Sequence, residues 1–461
     1  MAIDGVLAAI DQNLDKSLER LFELLRIPSV STDPAFAGEC EKAARWLASE
    51  LSALDFDATV RPTTGRPMVV ARSRGEPLSK MPHVLFYGHY DVQPPDPLDL
   101  WETPPFEPRI REFGGRKRIV ARGSADDKGQ LMTFIEACRA FMAVDGKLPV
   151  PVTILFEGEE ETGSPSLKPF LDANRQELKA DVALVCDTDM WDGETPAVTT
   201  MLRGLVLEEV IVKGASHDLH SGLFGGPAIN PIRVLARVLA DIHDKDNRIA
   251  IPGFYDGVGE IAAEIRAQWM GLKFDERRFL GDIGLQIPAG EKGRHLLEQM
   301  WSRPTCDMNG IIGGYTGEGS KTVIPARASV KVSFRLVGDQ EPLKVRDAFR
   351  AFVRARLPAD CDAEFISHGA SPAPRLPLDS PFLAKTRDAL EAEWGRAAVL
   401  KGSGGSIPIV GAFKHDLGMD SLLVGFGLDD DHIHSPNEKY DLESFRKGAR
   451  SWARILAGFA Q

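Results

Sequence analysis

Residues 83–91 read His-Val-Leu-Phe-Tyr-Gly-His-Tyr-Asp. The apolar run His83–Tyr87 has strand character: it is too short for a helix and holds β-branched and aromatic letters. Behind it stand a glycine, His89 and Asp91. The same grammar recurs along the chain. Val152–Phe156 runs into Glu157-Gly158-Glu159-Glu160-Glu161, and Asp181–Cys186 runs into Asp187-Thr188-Asp189. Ser421–Val424 is followed, after a short gap, by Asp429-Asp430-Asp431-His432-Ile433-His434. Met68–Ala71 is a further short run, and a helical stretch, Lys128–Val144, follows Asp126 and Asp127 in RGSADDKG. Strands alternating with helices predict an α/β fold, a mostly parallel sheet with helices on both faces. In such a sheet functional side chains gather just beyond the carboxyl ends of the strands. All five of these positions offer an imidazole or a carboxylate.

Outward from this centre, the first thirty residues read as an amphipathic helix, and Glu39–Leu54 as a second with Trp46, Leu47 and Leu51 on one side. The pattern changes near Arg203–Gly204. Leu205–Val212 reads as a half-exposed strand, Asn230–His243 as a helix, and about 260–300 as charged and helix-rich. Ser329–Leu336, Leu343–Arg356 and Ala363–Ser367 then read as strand, helix and strand. Two strand–helix–strand halves predict a small α+β domain inserted into the first, with the Pro-rich segment Ser371–Pro381 as its return. Phe382–Trp394 and Leu442–Leu456 are helical again. The expected domains are 1–203 with 380–461, and 204–379 as the insertion.

With 461 residues the chain exceeds one ordinary core. Its 43% hydrophobic and 26% charged residues are the balance of a globular chain. The net charge of −12, with no block of Lys and Arg, argues against nucleic acid as a partner. No stretch approaches the ~20 apolar residues of a membrane span. Asp4, Asp11 and Asp15 stand where a signal peptide carries basic residues. Cys40, Cys138, Cys186, Cys306 and Cys361 form no CxxC pair, so neither a disulfide framework nor a thiolate site is expected, and the expected compartment is the cytoplasm. HExxH and GxSxG are absent, and Ser320 spoils the spacing of a phosphate loop at GEGSKT.

Taken singly, each polar group has an ordinary explanation: a structural His89, a solvated Glu157–Glu161 loop, Asp126 at a helix start, an exposed turn at 429–431. Together on one sheet edge, these carboxylates repel one another unless cations neutralise them. Imidazole and carboxylate without thiolate suit Zn2+, Mn2+ or Co2+. Asp91 is placed to orient the His89 ring. Two histidines and three carboxylates exceed the needs of one tetrahedral ion and match two ions sharing a carboxylate.

In order, GHYD, RGSADDKG, EGEEETGS, HDLHSG, GSKTVIP and HSPNEK resemble the motif set of the two-metal peptidase family. That family holds carnosine dipeptidases, carboxypeptidase G, aminoacylase and succinyl-diaminopimelate desuccinylase. The resemblance spans nearly the whole chain, and GSKTVIP with the long insertion is most similar to the dipeptidase branch. It implies a hydrolase cleaving the amide bond of dipeptides or short peptides with a free C-terminal carboxylate. Two divalent ions per chain are implied, one held by His89 and Asp187, the other by Glu161 and His434, with Asp126 between them. Asp189 competes with Asp187, and His432 with His434. Glu160 matches the general base acting on a metal-bridged water.

From the inserted lid, His220 matches the residue that stabilises the oxyanion, reaching across from the other subunit in dimeric relatives; a homodimer through this domain is therefore implied. Arg335 in SVKVSFRLV matches the arginine for the substrate carboxylate. Thr322 and the loop Gly404-Gly405-Ser406 are further implied contacts. The relatives carry a charged pair before this loop, where Gly402 and Ser403 stand here. That departure keeps an N-acyl-amino-acid deacylase as the alternative. A catalytically silent binding protein is the third reading, and it would be marked by a missing ligand or base.

Overall fold

The apolar runs quoted above become the middle of one sheet. A computed structural model describes residues 3–74, 81–405 and 407–461 of the chain. Among these an eight-stranded sheet runs in the order Phe56–Arg61, Met68–Ser73, Val152–Glu157, Val84–His89, Val182–Val185, Ser421–Leu423, Ala197–Leu202, Val399–Ser403. The four strands from Val152–Glu157 to Ser421–Leu423 are parallel. Antiparallel pairings flank them, joining Phe56–Arg61 to Met68–Ser73, Met68–Ser73 to Val152–Glu157, and Leu423 to Thr199. Every residue of Val84–His89, Val152–Glu157 and Val182–Val185 is buried, as strands covered on both faces must be. Register does the positioning. His89 lies beside Glu157, and Tyr87 beside Val185, so the segments that follow all three strands leave by one edge.

That edge is stiff because of what lies under it. Phe86 stacks on Phe134 with ring centres 3.8 Å apart, and Trp452 packs edge-on against both. Phe134 belongs to the helix Lys128–Asp145, buried from Lys128 through Cys138 and closed by Gly146 at φ 66°. Trp452 belongs to the amphipathic helix Leu442–Phe459. At the chain start two helices, Ile3–Gln12 and Leu14–Leu25, replace the single one expected. Asn13 divides them, its side chain turned back onto the Ala9 carbonyl at 2.8 Å.

Sequence pattern missed the ribbon Arg109–Phe113/Arg116–Val120, whose turn is Gly114-Gly115 with φ of 58° and 76°. This ribbon pairs in turn with Lys439–Asp441, Val120 facing Lys439. The pairing brings HSPNEK beside RGSADDKG, two motifs more than 300 residues apart.

By its internal contacts the chain forms two units. One comprises Met1–Thr200, Leu376–Lys401 and Pro408–Gln461; the other comprises Met201–Arg375 and Gly402–Ile407. The second unit contains an antiparallel sheet in the order Thr305–Gly313, Arg327–Leu336, Gly204–Lys213, Asp362–Ser371. Its strand Gly204–Lys213 alternates strictly, burying Val206, Glu208, Val210 and Val212. Val234, Leu235 and Val238 of Pro231–Ala240, and Phe349 and Phe352 of Pro342–Arg354, join the same core. Glu208 is tolerated there because Arg350 meets it at 2.7 Å. Residues 402–407, expected with the first domain, group with the second unit. There Arg203 donates its backbone N–H to the Gly405 carbonyl (3.2 Å) and its Nε to the Gly404 carbonyl (3.1 Å).

Candidate metal centre

His89 ends its strand fully buried. Its Nδ1 lies 3.1 Å from the Asp91 carbonyl, and its Nε2 lies 3.0 Å from Asp126 Oδ1. With Nδ1 given to Asp91, Nε2 is the nitrogen left for a ligand. The other oxygen of Asp126 lies 2.9 Å from His434 Nε2, which also meets Glu161 Oε2 at 3.2 Å. Two donor groups result, His89–Asp126–Asp187 and Asp126–Glu161–His434. Within each, the ligand atoms lie within 4.8 Å of one another, and Asp126 belongs to both.

The electrostatics show what the cluster lacks. Burial, opposed by the His89 charge and reinforced by Asp126, Glu160 and Glu161, pushes the Asp187 carboxyl up to about 8. Burial also raises Glu160, again against His89 and with Glu161, Asp126 and Asp91. Hydrogen bonds donated to Asp126 and Glu161 raise His434 to about 10. The raised Asp187 carboxyl and the raised His434 imidazole both mark a cluster in which negative charge is crowded. Divalent cations would balance that charge, and the nitrogen and carboxylate donors suit them.

Asp91 does more than orient a ring. Fully buried, it accepts the Ser31 hydroxyl at 2.6 Å and the backbone N–H groups of Glu160 (3.3 Å) and Glu161 (3.1 Å). It therefore ties the GHYD turn to the acidic turn Glu160–Thr162. Gln93 adds a hydrogen bond to Glu161 Oε2 at 2.8 Å. Neither Ser31 nor Gln93 was anticipated, although Gln93 stands only two residues past Asp91.

The remaining acids have structural partners. Glu157 accepts the Tyr87 hydroxyl at 2.7 Å, and Glu159 accepts the backbone N–H of Arg66 at 2.9 Å. Asp189 pairs with Lys401 at 2.5 Å and lies outside both donor groups, as does the exposed His432. Asp431 is buried against Lys439. Asp127, the second acid of RGSADDKG, is fully buried and accepts the His89 backbone N–H at 3.0 Å. Burial wins there because the helix it precedes enters the core at once.

His220, Thr322, Arg335, Gly404 and Gly405 lie in the second unit. His220 Nδ1 accepts the Gly222 N–H at 3.0 Å and caps the turn Ser221–Phe224. The Ser221 N–H donates to the Thr322 carbonyl, so these two motifs are neighbours. Arg335 faces Thr305 and Leu205 across its sheet, on the row opposite the core. Ser406 lies outside the described residues.

A family model described as Peptidase family M20/M25/M40 matches residues 85–458. The Cys-Gly metallodipeptidase DUG1 of Candida albicans is 32% identical, over 97% of this chain and 95% of its own length. Among solved structures, the M20 family metallo-carboxypeptidase Sso-CP2 from Sulfolobus solfataricus aligns with a TM-score of 0.81 at 29% identity, over 96% of this chain and 99% of that one. Human carnosine dipeptidase 1 aligns with a TM-score of 0.78 at 26% identity, over 100% and 98%.

Proposed function

Because the chain belongs to peptidase family M20/M25/M40, we propose that it is a dinuclear metallodipeptidase. Its substrates would be dipeptides or short peptides with a free C-terminal carboxylate. The observation that carries this reading is the shared carboxylate: Asp126 turns one oxygen to His89 and the other to His434. His89 and Asp187 would hold one divalent ion and Glu161 and His434 the other, with Asp126 common to both; Zn2+ or Mn2+ is proposed, and Co2+ as a substitute. Such ions supply Lewis acidity toward the scissile carbonyl and toward water.

The chain's own groups do the rest. Glu160, raised by burial, takes the proton of the attacking water and passes it to the departing amine. Asp91 keeps the His89 ring and the Glu160–Glu161 turn in register. From the second unit we carry forward His220 as the oxyanion donor. Arg335 is the carboxylate partner, and Thr322, Gly404, Gly405 and Ser406 are further substrate contacts.

A homodimer through the second unit is part of the proposal. Among the described residues the strand Thr305–Gly313 is paired on one side only and exposes Ile311 (61%) and Ile312 (64%), an edge that a second copy would cover. Among the described residues no helix is long and apolar enough to cross a membrane, and we propose a cytoplasmic enzyme. Gly402 and Ser403, uncharged before the 404–408 loop, favour the second reading, an N-acyl-amino-acid deacylase.

Metal-stripped protein, reloaded with Zn2+ or Mn2+ and offered matched dipeptides and N-acyl amino acids, decides between the two. Amine release from dipeptides alone is expected. Release from acyl amino acids alone moves the reading to a deacylase. No release from either, with two ions bound, refutes the substrate class.

A further inference from the structure

The fully buried carboxylate of Glu438 belongs to neither donor group, yet it touches the backbone of one member and lies four residues from another. Oε1 accepts the backbone N–H groups of Ala125 (2.8 Å) and Asp126 (3.1 Å). Oε2 accepts the Gly123 N–H (2.8 Å) and Arg122 Nη1 (2.7 Å). Arg122, only 1% exposed, sends Nη2 to the carbonyls of Ser435 (3.3 Å) and Pro94 (3.4 Å), and its guanidinium lies 5.4 Å from the Trp101 ring centre.

We propose that Glu438, locked by Arg122, is the positioning residue that sets Asp126 against His434. The inference rests on the two-ion reading above. One carboxylate gathers three N–H groups from the loop that delivers Asp126, and that carboxylate is covalently four residues beyond His434. Its guanidinium partner holds Ser435, next to His434, and Pro94, three residues past Asp91. The loops from RGSADDKG, HSPNEK and GHYD thus meet at one buried ion pair. A ligand set tolerates displacements of only about 0.5 Å before its geometry is lost. A loop such as 121–126, with no regular structure to stiffen it, needs such an anchor.

Glu438→Gln tests this without changing side-chain size. An amide has one accepting end and one donating end. Whichever way it turns, its NH2 meets two donors: Ala125 and Asp126 N–H, or Gly123 N–H and Arg122. The loop must shift. The assay is Co2+ titration of the metal-stripped full chain, followed by visible absorption and calorimetry, with kcat and KM measured at saturating metal. Wild type is expected to take up two Co2+. Glu438→Gln is expected to bind them about 10–100-fold more weakly, with an altered visible spectrum, and to lose kcat in the same range while KM stays within about threefold.

Two normal Co2+ sites in Glu438→Gln overturn the inference while leaving the two-ion reading intact, even if the variant melts earlier. No Co2+ uptake by wild type overturns both. Should Glu438→Gln fail to fold, Arg122→Lys is titrated in its place, since it keeps the charge but not the fork. Weaker Co2+ binding there supports the positioning role, and unchanged binding overturns it.

Discussion

Glu160→Gln keeps the length and planar end of the side chain while removing its charge and its capacity to take a proton. The turn should survive, because the contact that holds it is the Glu160 backbone N–H to Asp91 Oδ1, together with Glu161 N–H to Asp91 Oδ2. The donor groups should survive as well, since Glu160 belongs to neither. Metal affinity is therefore expected to stay close to wild type, with two ions retained after desalting. The rate is a different matter. A positioned general base contributes about 10²–10⁴-fold, or about 3–5 kcal/mol at 1.36 kcal/mol per tenfold. Burial raises the Glu160 carboxyl, and the neighbouring acids of the 157–161 run are otherwise engaged: Glu157 is bound to Tyr87, and Glu159 to Arg66. The assay pairs metal content by mass spectrometry with kcat on a dipeptide substrate. A Glu160→Gln enzyme with two ions and a rate within tenfold of wild type would refute the assigned role.

The choice between neighbouring aspartates is open to the same pairing of readouts. Asp187→Asn is expected to lose one bound ion and most activity, whereas Asp189→Asn, which loses its Lys401 contact, is expected to keep both ions; metal counts in the opposite order would exchange the two. In the second unit, Arg350→Met leaves Glu208 buried without its partner. Breaking a buried pair costs about 3–5 kcal/mol, and the lower end applies because Arg350 is 22% exposed. That corresponds to a melting midpoint lower by about 6–12 °C for the transition of this unit. A shift under 2 °C by calorimetry would show that Glu208 finds water instead.

Much of this was legible because it repeats. Short apolar runs followed by His or acid marked the parallel centre of the sheet, and their register brings His89, Glu161 and Asp187 to one edge. The strict alternation of Leu205–Val212 likewise marked a strand with one buried face, and the structure extends it only to Gly204–Lys213. Where the reading fell short, the signal was weak for physical reasons. Thr305–Gly313 carries Asn309, Gly310 and Gly313 and has an irregular register after Met308, so it shows no clean period of two. The ribbon Arg109–Val120 is largely exposed, and its charged letters resemble a loop. Asn13, an ordinary polar letter on an amphipathic pattern, breaks one helix into two by bonding back to Ala9.

The site itself divides along a different line. The proposed ligands His89, Asp126, Glu161, Asp187 and His434, assigned through the family resemblance, fall into two groups that could hold a metal ion, and each carries a letter that names its donor atom. Groups that act by accepting backbone N–H bonds leave no such trace, because the partner has no letter. Asp91 was read as the orienter of one imidazole, and its bonds to Glu160 and Glu161 N–H make it equally the anchor of the acidic turn. Glu438, with three backbone donors and a buried arginine, passed unremarked inside HSPNEK. Asp127, beside the proposed ligand Asp126, receives the N–H of His89 on its oxygen. All three are fully buried. A buried carboxylate that is not a ligand must satisfy its oxygens on something, and near the ends of strands and helices the free donors are main-chain N–H groups. The acids that flank the ligands in sequence are thus where the frame of such a site should be sought, and the Glu438→Gln titration measures how much that frame contributes to holding the metals.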